Sequence, residues 1–158
     1  MRLGGIARSV SDLDRARQLG AQESGLAVAI TTRGDGLPRA SVVNAGVLED
    51  PMTRGQVVGF VSRGAALKLA DLRARPRATV VFRSGWEWVA VEGDARVIGP
   101  DDPFEGFSQD AVMSLVRTVY SAALGGTPDE WSRLDETMAT ERHTVVLISP
   151  RRIYPADV

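Results

Sequence analysis

The chain has 158 residues, 44% of them hydrophobic and 25% charged, a balance that fits one globular domain with apolar material for a core. A net charge of −1 argues against a dedicated nucleic-acid binder, which needs a basic excess to neutralise phosphates. The lack of cysteine leaves no disulfide framework or thiol chemistry, and no apolar run approaches the ~20 residues that cross a bilayer.

Met1-Arg2-Leu3-Gly4-Gly5 carries no apolar stretch behind its arginine, so the expected location is cytoplasmic. Ser11-Asp12-Leu13-Asp14 reads as a capped helix start, and an N-terminal helix is expected over about residues 11–22. From Gly25 to Thr32 the chain alternates as a strand, with Leu26, Val28 and Ile30 on one face and Ala27, Ala29 and Thr31 on the other. Arg33-Gly34-Asp35-Gly36 is a hairpin signal, and Pro38 to Leu48 is the returning strand. Valine-rich Gln56 to Ser62 makes a third strand, and Gly64 to Arg75 a short helix that Pro76 ends.

Ala78 to Arg83 and Trp86 to Ile98 pair around Ser84-Gly85. A helical insertion follows over about residues 108–140. Its first helix, Ala111 to Leu124, is stopped by Gly125-Gly126, and its second starts at Thr127-Pro128. Thr144 to Ile148 is the last clear strand. Hairpins dominate and βα alternation is missing, so the expectation is one α+β domain over residues 1–158, built on a small antiparallel barrel.

Much chemistry is excluded. One histidine and no cysteine remove the usual zinc sites, and there is no Gly-x-Ser-x-Gly elbow, dinucleotide fingerprint or Walker loop. His143 reads as a strand residue without a chemical role, and the acidic pairs Glu49-Asp50 and Asp101-Asp102 read as solvated turns. Arginine outnumbers lysine eighteen to one, which makes Lys68 conspicuous, because a compact ammonium fits where a planar guanidinium does not. Phe60-Val61-Ser62-Arg63-Gly64 ends a strand in a hydroxyl, a cation and a glycine, with Lys68 close behind. Such a strand-to-helix turn can hold an anion.

Set in order, Thr31 to Val43, Phe60 to Gly64, Lys68 to Leu72 with Arg75-Pro76-Arg77, Trp86 to Ala95 and Arg142 to Tyr154 resemble the pyridoxamine-phosphate-oxidase-like split-barrel superfamily, and especially its flavin/deazaflavin oxidoreductase branch. The resemblance implies a homodimer with cofactor at the subunit interface. The tricyclic ring would lie along Ser41, Val42, Val43 and Asn44, and the phosphate on Val61, Ser62, Arg63, Gly64 and Lys68. Arg39, Arg63, Lys68, Arg75 and Arg77 are candidates for a basic groove along an anionic tail. Trp86 and Trp88, expected on one strand face, offer an aromatic wall or else ordinary packing. Leu67 departs from the pattern: FMN-using relatives carry a second basic residue there.

The function the resemblance implies is hydride transfer from reduced deazaflavin coenzyme F-420 to a small unsaturated or conjugated acceptor. The alternatives are an FMN-dependent oxidase or reductase of the same fold, and a non-catalytic flavin, deazaflavin or haem binder, for which His143 is the one histidine able to ligate iron. No catalytic residue and no metal site is assigned.

Overall fold

The computed structural model describes residues 5–125 and 131–155. Among these the order is α1 (Gly5–Gln22), β1 (Leu26–Thr32), β2 (Pro38–Glu49), β3 (Gln56–Ser62), α2 (Leu67–Ala74), β4 (Arg77–Ser84), β5 (Glu87–Ile98), α3 (Gln109–Leu124), α4 (Trp131–Thr140) and β6 (Thr144–Pro155). The six strands close into one barrel in the order β1-β2-β3-β6-β5-β4, with every pairing antiparallel. The mixed α+β architecture read from the hairpins is therefore present.

Strand alternation fills the barrel. Ala27, Ala29, Val43, Ala45, Val58, Phe60, Val80, Phe82, Val91, Val146 and Ile148 point inward, joined by Leu13 and Leu19 of α1 and Leu69 and Leu72 of α2. On β1 the small residues face the core, leaving Leu26 50% exposed and Val28 37% exposed on the outside. β3 and β6 are buried on both faces, which explains their near-continuous apolar runs. Their outward residues Val57, Val145 and Leu147 pack with Leu115, Val116 and Val119 of α3 and Met138 of α4. α3 also crosses β2 so closely that a Cβ on Gly46 would stand 2.5 Å from the Ala122 backbone.

Four local expectations need correction. α1 runs through Ser11 from Gly5, because a Ser-x-x-Asp pattern marks a start only where the preceding backbone is not already helical. α2 begins at Leu67, with residues 63–66 forming a turn ahead of it. Trp86 lies in the β4–β5 turn beside Gly85 (φ 61°) and is 97% exposed, so it shares no strand face with Trp88. Asp50 is fully buried, not solvated: its carboxylate accepts from the Met52 amide and from the Arg96 guanidinium. Burial alone would raise its pKa, but these donors outweigh that and hold it below the usual carboxylate value. Asp102 likewise takes a two-armed bond from Arg73 at 2.7 and 2.8 Å.

The first helix of the expected insertion has defined ends. Ser108 caps α3 by accepting from the Ala111 amide at 3.2 Å, and Gly125 ends the helix in the left-handed region (φ 63°). The expected start at Thr127-Pro128 lies outside the described residues.

Candidate functional site

β3 carries Val61 and Ser62 to the barrel rim, where residues 63–66 turn into α2 and aim Lys68 back over the same opening. β2 passes alongside with Val42, Val43 and Asn44. Together with Ala65, Ala66, Tyr120, Glu141 and His143 these residues line a cavity of about 550 Å³, within the size range of small-molecule sites. Seven of the residues singled out in the sequence therefore meet: Val42, Val43, Asn44, Val61, Ser62, Arg63 and Lys68. A second cavity of about 230 Å³, ringed by Ile30, Arg77, Thr79, Glu92 and Arg151, holds Arg77 alone of the residues singled out in the sequence.

The two cations differ from the rest of the basic residues. Almost every described arginine is bonded to a carboxylate or a backbone carbonyl, including Arg39 to Asp71, Arg75 to the Thr32 carbonyl and Arg77 to Asp94. Arg63 and Lys68 have no such partner among the described residues; Arg152, also without one, stands away from the cavity. Burial first, and then the charge of Arg63, pull the Lys68 pKa below the ordinary lysine value. Two mutually repelling, unpaired cations at one opening are an arrangement that an anion relieves.

The backbone contributes less than the turn suggested. The Gly64 amide donates to the Glu141 carbonyl at 3.1 Å and the Ala66 amide to the Arg63 carbonyl at 3.0 Å, so these two turn amides are already taken. Gly64 itself does not line the cavity. Its missing side chain lets Arg142 approach, since a Cβ there would stand 2.8 Å from the Arg142 carbonyl oxygen. The hydroxyl of buried Ser62 donates to the Arg63 carbonyl at 3.2 Å. The Asn44 amide donates to the Ser24 carbonyl at 3.0 Å.

Other candidates sit elsewhere. Arg39 is held at 2.7 Å on Asp71, which also accepts from the Thr31 hydroxyl at 2.8 Å, so it ties α2 to the β1–β2 hairpin instead of lining the cavity. Ser41 stands one residue outside the lining, and Trp88 packs edge-on against Tyr154 at 6.1 Å. The sequence reading did not single out Tyr120 or Glu141, and it read His143 as a strand residue whose one possible role was as a haem ligand. His143 stands one residue before β6, is 8% exposed, and faces Tyr120 through Nδ1 (3.2 Å) and Glu141 through Nε2 (2.9 Å). The available signal was a lone histidine two residues after an acid.

The family model for pyridoxamine 5'-phosphate oxidase matches residues 13–154. The chain belongs to this family. Its barrel is similar to solved members of the fold. One is an FMN-binding, pyridoxamine 5'-phosphate oxidase-related protein of Nostoc punctiforme, with 18% identity, 97% of this chain and 84% of that one covered, and a TM-score of 0.56. An F420 reductase shares 14% identity over 82% of this chain and 88% of its own, with a TM-score of 0.52. The haem storage protein HutZ of Vibrio cholerae shares 8% identity over 90% and 92%, with a TM-score of 0.58. No curated protein matches the sequence. Family membership and the closed antiparallel barrel agree with the split barrel expected from the sequence.

Proposed function

We propose that the protein is an oxidoreductase that transfers a hydride from reduced coenzyme F-420 to a small unsaturated or conjugated acceptor. The observation that carries this reading is the pair of unpartnered cations, Arg63 and Lys68, at one end of a cavity whose other wall is the apolar edge of β2. Arg63 and Lys68 would hold the phosphate beside Ser62, whose hydroxyl donates to the Arg63 carbonyl, and the strand from Ser41 through Val42 and Val43 to Asn44 would lie along the tricyclic ring. When bound, the reduced deazaflavin supplies the hydride; the chain supplies orientation and exclusion of water.

Leu67 favours the deazaflavin over FMN. It is 64% exposed at the first position of α2, where a second basic residue would serve a compact dianionic phosphate. An FMN-dependent oxidase or reductase is the nearest alternative. A haem site is less well supported, because both ring nitrogens of His143 already have partners. Mixing the purified protein with F-420, FMN and haem and removing free ligand tests the reading. Coenzyme F-420 is expected to co-purify by absorbance, and retention of haem alone would overturn the assignment.

A second copy of the chain completes the site in this proposal. Val28 pairs with Val42 on β2 and with Val81 on β4, forming an outward apolar row that reaches the cavity at Val42, itself 68% exposed. Exposed apolar rows of this kind mark interfaces. Light scattering is expected to give about 34 kDa, twice the 17.0 kDa chain, and a monomer that binds cofactor fully would contradict an interface site.

A further inference from the structure

Tyr120, His143 and Glu141 form a continuous hydrogen-bonded wall of the cavity that the cofactor reading does not use. They come from α3 and from the turn between α4 and β6, where Arg142 takes a positive φ of 53°. The bond from the Gly64 amide to the Glu141 carbonyl fastens that turn to the one bearing Arg63. Glu141 is the only carboxylate among the lining residues, and it bonds to His143 instead of pairing with either cation.

Two proton arrangements satisfy this geometry. With a neutral ring, Nε2–H donates to Glu141 and Nδ1 accepts the Tyr120 hydroxyl, whose hydrogen is then held by the ring. With a doubly protonated ring, Nδ1–H donates to the Tyr120 oxygen and frees the phenolic hydrogen for a ligand. The charges around His143 are Glu141 on its own segment, Arg63 and Lys68 across the cavity, and, on its far side, Asp110 of α3 and Arg142, which is paired with Asp101. Counting Arg63, Lys68 and Glu141, ring protonation adds one positive charge and one hydroxyl donor to a cavity that already favours anions.

We propose that this cavity takes up its anion together with a proton, His143 being the group protonated and Tyr120 the hydroxyl turned toward the ligand. The proposal rests on the anion-site reading above and adds two ligand-facing residues to it. The ligand class is an anion with spare acceptor oxygens, such as a phosphodiester or carboxylate. Burial and the Glu141 charge push the Tyr120 phenol pKa up, so it keeps its proton through neutral pH. Binding and protonation are then linked, each strengthening the other by the same factor.

His143 is the only histidine, so its ring resonances in the intact protein need no assignment by mutation. Sulfate is a suitable probe, because its charge is constant between about pH 5 and 8, where histidine titrates. Saturating sulfate is expected to raise the pH at which the ring loses its proton by about one unit, and sulfate is expected to bind about tenfold more tightly at the acid end. Tyr120→Phe is expected to lose affinity several-fold at the acid end only and, by the same linkage, to shrink the shift correspondingly. Sulfate that binds through Arg63 and Lys68 without moving the histidine transition would overturn the proposal and leave the anion site standing. Sulfate that binds at no pH, or equally well after Arg63→Ala and Lys68→Ala together, would overturn the anion site itself.

Discussion

Replacing Lys68 with alanine is expected to weaken F-420 binding by about 10- to 150-fold, the equivalent of losing ~1.5–3 kcal/mol in one charge-assisted hydrogen bond. Lys68 is half-buried, faces the cavity and is bonded to no carboxylate among the described residues. The double change Arg63→Ala and Lys68→Ala is expected to lose less than the product of the single effects, because the charge of Arg63 already disfavours the Lys68 ammonium. The same repulsion fixes the companion result: without ligand, neither variant melts below the parent protein. Calorimetric titration and thermal melts read the two quantities separately. A loss of affinity with an equal loss of stability would instead make Lys68 a structural residue.

Asp71→Ala is expected to show the opposite signature, a large loss of stability. Asp71 is 5% exposed and holds both the Thr31 hydroxyl and the Arg39 guanidinium. Its removal leaves a buried hydroxyl and a 30%-exposed guanidinium without their acceptor. A fully buried pair broken in this way costs about 3–5 kcal/mol, and the partial exposure of Arg39 lowers the expected cost to about 2–3 kcal/mol. The Arg39 bond, reinforced by Thr31 and opposed by burial, holds the Asp71 carboxyl below its ordinary 3.8. A depressed carboxylate pKa stabilises the fold above the unfolded value, and that contribution fades as the pH falls through the folded value. The gap between parent and variant should thus be complete at pH 7 and narrow only below about pH 4. Denaturant unfolding across that range checks it, and Asp71→Asn, which keeps an acceptor for Thr31, should lose less.

The contrast between Lys68 and Asp71 shows which parts of the molecule were legible in the sequence. Strand period and turn residues are local, so β3 and the hairpins could be read to within a residue or two, and Lys68 stood out by composition. Arg39 was misread because its partner lies 32 residues away on α2, and nothing local distinguishes a free cation from one latched to a buried acid. The pairing of Tyr120 with His143 escaped for the same reason. They meet only because α3 packs across β2 at Gly46 and β6 closes the barrel beside β3. Trp86 failed differently: a single turn residue moved it off the strand and out of register with Trp88.

The most direct measurement is the affinity of the unmodified protein for F-420 and for FMN at physiological salt. The unpaired cations beside an uncharged Leu67 predict saturable binding of F-420 at least about tenfold tighter than that of FMN, weakening as added salt screens exposed charges beyond about 8 Å. FMN binding more tightly would contradict the deazaflavin assignment, and binding of neither would contradict the cofactor site.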